Sequence, residues 1–323
     1  MSAPGEANDA PPKEHVLKLL FFDDFKFGVV KGNTVVDCSA VVRDIPRVEP
    51  HDVMKGVITR WVEYRPKLEA AVASGTGVPL SSVRIRPPLP NPANIACMAV
   101  NYMENGTRAA PAEINAFLKS PNGVIGNGDT MVLPDVPATI FEGEAELALV
   151  FGKKATNVHA DQWQDYIFGY TNFIDGSARG LAPGFFQMKS RDTFAPLGPF
   201  LVTADEIPDP QHLAIKLSVN GVLKQDFNTS DMAHKIPRSV EFITSIQSME
   251  PGDVLPTGTN HRGLNAFQDG DIVELETEGL GKLTIYVKDD LKRTWGRETR
   301  LEMQEKGVEG TTPQISGKYA PEA

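Results

Sequence analysis

Apolar residues along the chain fall mostly into short runs separated by turn-forming residues. Val16–Phe22, Phe27–Val30 and Thr34–Cys38 are three such runs, divided by DDFK and by Lys31-Gly32-Asn33, and they predict a small β-meander. Val53–Ser74 instead carries apolar residues at helical spacing (Val57, Trp61, Tyr64, Leu68, Ala71, Val72), which predicts a helix with an irregularity at Pro66. RIRPPLPNP, Arg84–Pro92, reads as an extended, semi-rigid linker. It sets an expected boundary between a small N-terminal α+β domain (15–90) and a larger C-terminal one. From Ile95 onward short strands dominate: Ile95–Val100, Glu146–Phe151, Phe200–Val202, Ile215–Val219, Ile272–Glu276 and Leu283–Val287, punctuated by Gly-Asp turns. Helical candidates are Asp161–Phe168 and Pro237–Ser248. Beyond Asp290 the periodicity stops. Residues 290–323 are expected to be a C-terminal extension, either disordered or packed along a partner subunit.

One strand stands apart. In Phe141–Gly152, FEGEAELALVFG, the carboxylates Glu142, Glu144 and Glu146 alternate with small or apolar residues. At period two they share one face, successive ones roughly 6.6 Å apart. An isolated Glu-x-Glu reads as a solvated strand face, but the apolar run Ala148–Phe151 sends this strand into a core. Like charges held that close raise one another's pKa unless a cation neutralises them. Hard oxygen ligands in such an array suit Mg²⁺, Ca²⁺ or Mn²⁺.

Composition narrows the classes without naming one. The 323 residues suffice for one large domain or two ordinary ones, and 41% hydrophobic with 23% charged residues are globular values. A net charge of −10 with no basic run argues against a nucleic-acid or anionic-membrane partner. Cys38 and Cys97 lie among apolar neighbours and read as buried core residues rather than a disulfide or zinc framework. Residues 1–14 read as a polar, disordered leader without a signal-peptide centre, and no stretch has spanning length, so a cytoplasmic location is expected.

Several segments, in order, resemble the fumarylacetoacetate hydrolase superfamily in its acylpyruvase-like branch: FLKSPNGVIGNGD (Phe117–Asp129), GEAELALVFGKKA (Gly143–Ala155), GYTNFIDGSAR (Gly169–Arg179), KSRDTFAPLGPFLVT (Lys189–Thr203), VNGVLKQDFNTSDM (Val219–Met232), MEPGDVLPTGT (Met249–Thr259) and DGDIVELETEGLGKL (Asp269–Leu283). The resemblance implies an α+β, mostly β fold, with a β-roll catalytic domain over residues 91–289. It also implies a divalent metal, commonly Mg²⁺, a small-molecule carboxylate substrate and a homodimer. Matched residue by residue, the metal ligands fall on Glu144, Glu146 and Asp175, the last in a turn-like DGS at a rim position. Lys189 matches the active-site lysine, whose ammonium would bind a carboxylate or stabilise an enolate. Gln225 and Thr259 match substrate-contacting positions, and Arg179 reads either as a structural ion-pair partner or as a ligand group.

The chain also departs from that pattern. Hydrolytic members carry Asn-Tyr-x-x-His-x-x-Glu in a lid, the His-Glu pair activating water; here Asn101–Arg108 reads NYMENGTR, with Asn105 and Arg108 at those two positions. Neither is a general base near neutral pH. After TGT comes Asn260-His261-Arg262, so His261 is the expected replacement base, with Glu104 and Glu113 as further carboxylates near the lid. Arg108 and Arg262 add positive charge suited to an additional carboxylate or an enolate. The resemblance therefore implies a divalent-metal enzyme acting on a 2-oxo or β-diketo acid through a metal-stabilised enolate. Hydrolysis of a C–C bond, as in aromatic catabolism, leads. The alternatives are a lyase or isomerase (oxaloacetate-type decarboxylase, sugar-acid dehydratase or keto–enol tautomerase) and a non-catalytic ligand-binding relative.

Overall fold

A computed structural model describes residues 17–308 and 310–321. The polar leader expected over 1–14 lies outside the described residues. Lys18–Phe22, Lys26–Lys31 and Thr34–Asp37 form the expected antiparallel meander. Its first strand pairs with Ala195–Thr203, so the meander extends a twelve-stranded sheet. From Ala195–Thr203 that sheet continues through Ile167–Arg179, Ile140–Phe151, Val254–Pro256 and Ile95–Ala99 to Asn115–Lys119. A second, five-stranded sheet contains Val222–Asn228, Ala214–Val219, Ile272–Thr277, Gly281–Lys288 and Thr130–Val132. The architecture is α+β and mostly β, as the sequence pattern predicts.

Two apolar cores flank the large sheet. Alternation along Ile140–Phe151 sends Leu147, Leu149 and Phe151 into one core with Ile215, Leu217, Leu275 and Leu283 of the smaller sheet. Ala148 and Val150 enter the other, with Val53, Val57, Leu68 and Val72 from two N-terminal helices. Both cysteines are buried in this second core.

The helical stretch breaks at Arg60, not at Pro66. Pro50–Thr59 and Trp61–Ser74 are separate helices, and Arg60 is both the C-cap of one and the N-cap of the next. Pro66 is accommodated inside the second helix: the carbonyl it cannot satisfy belongs to Val62, whose side chain lies in solvent. The proline-rich segment is also more integrated than an extended linker. Ile85–Arg86 pairs with Phe21–Phe22, and Leu89 is fully buried.

The described part of the C-terminal segment is ordered and makes contacts with its own chain. Thr294–Trp295 pairs with Gln314–Ser316, and the Trp295 indole donates to the Thr139 carbonyl (2.7 Å). Asp289 and Arg293, both fully buried, form a bidentate ion pair (2.9 Å for each contact). A short helix, Arg300–Glu305, opens on a Thr299–Glu302 capping box. No helix among the described residues is long and apolar enough to cross a membrane.

Candidate metal centre and active site

Ile140–Phe151 and Ile167–Arg179 pair in antiparallel register across twelve residues of the first, which sets Glu144 directly opposite Asp175 and Gly143 opposite Gly176. Glycine is required at 143, because a Cβ there would lie 2.3 Å from the Phe267 ring. Close packing against Phe194, not turn geometry, likewise explains the glycine after Asp175. Asp175 is therefore not at a turn-like rim. It sits in mid-strand and is fully buried, so the DGS turn signal is overridden by strand pairing.

Glu144, Glu146 and Asp175 are all buried and each offers an oxygen within 4.8 Å of the others. On the other edge of the Glu strand, Val254–Pro256 pairs only with Ala148–Val150. Loops close the stretch that precedes Ala148. Gln225 Oε1 accepts from the Ala145 amide (3.1 Å), Thr257 N donates to the Leu147 carbonyl (3.0 Å), and Gly258 N donates to Glu146 Oε2 (2.7 Å). Glu146 Oε1 has no hydrogen-bond partner among the described residues although it is buried.

Three cations crowd the other carboxylates. Lys189 Nζ donates to Glu144 Oε1 (2.9 Å), Asp175 Oδ2 (2.5 Å) and Ser177 Oγ (2.6 Å). Lys119 Nζ donates to Asp175 Oδ1 (2.6 Å) and the Gly176 carbonyl (2.9 Å). Arg179 reaches Glu144 through one nitrogen and Glu142 Oε2 through Nε (2.9 Å). Burial pushes the Glu144 carboxyl up, yet Lys189, Arg179 and His261 together hold it well below its ordinary value. Glu146 goes the other way: burial first, then the charges of Asp175 and Glu144, push it well above the ordinary carboxylate range. Burial works to discharge Lys189, but Asp175 and Glu144 more than offset this and raise its pKa. An orphaned, buried carboxylate oxygen facing two like-charged groups is the setting a hard divalent cation fits.

His261, the residue expected to replace the lid base, has a partner. Glu104 is buried in the lid segment, and its carboxylate receives the His261 backbone amide on Oε2 (2.8 Å) and the His261 ring through Nδ1 on Oε1 (2.7 Å). Asn260 anchors the same loop, donating through Nδ2 to Asn105 Oδ1 and Asp231 Oδ2 (3.2 Å each). Lid and loop thus meet in a histidine–carboxylate pair whose members come from two segments. Glu113 is exposed, unlike either member of this pair.

Residues 94–288, more than half of the chain, match the family described as fumarylacetoacetate (FAA) hydrolase, C-terminal. The chain belongs to the fumarylacetoacetate hydrolase family. Across 288 residues it is 31% identical to a maleylpyruvate hydrolase of Aquipseudomonas alcaligenes, covering 84% of this chain and 99% of that protein. It is 34% identical over 220 residues to the oxaloacetate tautomerase YisK of Bacillus subtilis, covering 64% of this chain and 73% of YisK. The crystal structure of maleylpyruvate hydrolase from Sphingobium sp. SYK-6, in complex with manganese(II) ion and pyruvate, superposes with a TM-score of 0.77 at 33% identity, covering 84% of this chain and 99% of that one. The fold expected from the sequence resemblance is therefore the family's own, and its relatives include both hydrolases and isomerising enzymes.

The structure brings together Glu144, Glu146, Asp175, Lys189 and Arg179 in one cluster, with His261 beside it. Gln225 and Thr259 bond to each other (2.9 Å); Gln225 also donates to the Asn260 carbonyl (2.9 Å), so its amide hydrogens are used in bracing the loop. Two participants, Lys119 and Arg300, escaped sequence reasoning, and a third, Glu142, plays another part than its place in the trio suggested. Lys119 ends the strand Asn115–Lys119 and has no local signal beyond a charge after apolar residues. Glu142 belongs to the alternating trio but is bound by arginines, Arg179 and Arg300. Arg300 lies in the aperiodic segment expected to be either disordered or packed on a partner, where the Thr299-x-x-Glu302 spacing was the legible sign of structure. A hollow of about 490 Å³ elsewhere, beside Pro137, Thr139 and Thr311, is lined by none of these residues and, among the described residues, by no charged side chain.

Proposed function

We propose that this chain is a divalent-cation-dependent hydrolase that cleaves a C–C bond of an acylpyruvate-type 2-oxo acid, with His261 as general base. The observation that carries this reading is the His261–Glu104 pair beside the carboxylate triad, standing in for the lid pair that Asn105 and Arg108 have replaced. Glu144, Glu146 and Asp175 would hold the cation, Mg²⁺ or alternatively Mn²⁺ or Ca²⁺. When bound it supplies Lewis-acid stabilisation of charge developing on the oxo oxygen.

The chain's own residues do the rest. An ionised Glu104 can only accept, so Nδ1 of His261 carries the proton and Nε2 is free to take one from water. Glu104 stabilises the imidazolium that results. The water oxygen bonds to the acyl carbon, and the bond from that carbon to the pyruvyl methylene breaks. The methylene takes the electron pair, and the imidazolium returns its proton there, yielding pyruvate and a carboxylic acid. Lys189, held protonated by Asp175 and Glu144, and Arg179 offer positive charge to the substrate carboxylate and oxo group.

A second reading, keto–enol tautomerisation, is supported by the similarity to oxaloacetate tautomerase; the same base would move a proton at the carbon between the carbonyls. Product analysis with Mn²⁺ and a panel of acylpyruvates and oxaloacetate separates the two. Stoichiometric pyruvate and carboxylic acid are expected; tautomer equilibration without cleavage would replace the hydrolase reading. The working form in this proposal is a cytoplasmic homodimer.

A further inference from the structure

Two lysines reach Asp175, and they are held differently. Lys189 Nζ makes its contacts with side chains, those of Glu144, Asp175 and Ser177. Lys119 Nζ donates to Asp175 Oδ1 (2.6 Å), to the Gly176 carbonyl (2.9 Å) and to the Lys189 carbonyl. The Lys119 side chain is fully buried. Three acceptors take all three hydrogens of an ammonium, so Lys119 has no donor left for a substrate. Two of those acceptors are backbone groups, fixed by the strand Ile167–Arg179 and by the end of the helix Phe185–Lys189. This ammonium is tied to the frame of the site rather than to its contents.

The anchor comes from the edge of the large sheet, where Lys119 ends the strand Asn115–Lys119 and pairs with Ile95. Phe117 shares a face with Lys119 at period two. Its ring stacks on Phe185 (centroids 4.4 Å apart, planes 14° apart) and lies under the Lys189 ammonium (5.4 Å to the centroid). One edge strand thus braces both Asp175 and the lysine beside it.

The consequence concerns which oxygens remain. Glu146 Oε2 accepts from the Gly258 amide (2.7 Å), which leaves Oε1. Asp175 Oδ1 accepts from Lys119, which leaves Oδ2, facing Lys189 (2.5 Å). Mg²⁺ demands a near-octahedral set at about 2.0–2.1 Å and keeps several waters, whereas Ca²⁺ gathers about 6–8 oxygens and often takes both oxygens of one carboxylate. We propose that Lys119 is a positioning residue that selects the ion: by occupying Asp175 Oδ1 it confines the aspartate to one coordinating oxygen and so favours Mg²⁺ over Ca²⁺. The inference rests on the reading of Glu144, Glu146 and Asp175 as a cation site.

Calorimetric titration of the metal-free full chain with Mg²⁺ and with Ca²⁺ gives the ratio of the two dissociation constants, in wild type and in Lys119→Met. Methionine keeps much of the side chain's length and removes its donors. The wild type should bind Mg²⁺ more tightly, and in Lys119→Met the ratio should move toward Ca²⁺ by about 10–100-fold. A lysine that only supports the fold or screens charge would change both affinities together. A ratio unmoved in the variant, or a wild-type preference for Ca²⁺, therefore overturns the proposal and leaves the triad reading in place. If the wild type binds neither ion, the triad reading fails and takes this inference with it. Should Lys119→Met not fold, wild-type crystals soaked with Mn²⁺ decide. Asp175 on the ion through Oδ2 alone, with Lys119 still on Oδ1, supports the assignment. Both aspartate oxygens on the ion, or Lys119 withdrawn from Asp175, overturns it.

Discussion

Glu146 is the residue on which burial and charge conflict most openly. Its one hydrogen-bonded oxygen faces the Gly258 amide and the other has no partner among the described residues, so its raised pKa reflects a carboxylate not satisfied by protein alone. A group whose folded pKa lies above its unfolded value costs the cation-free fold stability as pH rises. The cost is absent below the unfolded value of about 4.3 and complete above the folded one. Glu146→Gln should flatten this pH dependence, keep the fold, and weaken Mn²⁺ binding by roughly 100-fold or more, as read by calorimetry. Unchanged affinity would remove Glu146 from the ligand set. The sequence made the Glu144–Glu146 pair legible because period two is a local property. The setting of Asp175 was not legible, because strand pairing across a neighbouring segment decides it and the local Asp-Gly-Ser signal points to a turn.

Among elements, the C-terminal segment differs most from its sequence pattern. Its charged and glycine-rich composition lacks periodicity, yet Trp295, Arg293 and Arg300 each find partners far away in sequence: Thr139, Pro134 and Val136 carbonyls, and Glu142. Such pairings are tertiary and leave no periodic trace. The anchor is Asp289–Arg293. Burial alone would raise the Asp289 pKa, but hydrogen bonds from Arg293 lower it. Its stabilising contribution is therefore complete above the unfolded carboxylate value of about 3.9 and lost as pH falls through the folded value. Asp289→Asn should destabilise the protein by about 3–5 kcal/mol in urea unfolding at neutral pH, because it leaves a buried guanidinium charge uncompensated. A loss under about 1 kcal/mol would show that the segment is not anchored there. The break at Arg60 teaches the same point in the helices: Pro66 is the obvious irregularity, but its missing hydrogen bond falls on the solvent side and costs less there.

At the scale of the molecule, the two-core arrangement places a polar cluster at the end of a strand that is apolar on both faces further along. Fold class was legible because alternation and turn spacing recur through the chain. The site was legible only in part, since Glu104 and His261 are 157 positions apart and neither carries a local mark of the other. A homodimer should sediment at twice the 35.2 kDa of the chain at micromolar concentration; a 35.2 kDa species would contradict that assembly. The most direct test of the central claim, that water activation has passed from the two lid positions now held by Asn105 and Arg108 to the His261–Glu104 pair, is kcat of Mn²⁺-loaded His261→Ala against wild type on an acylpyruvate the wild type cleaves, with bound Mn²⁺ counted in both. A fall of roughly 10²–10⁴-fold at unchanged Mn²⁺ stoichiometry is the predicted result. Full activity in His261→Ala would contradict it.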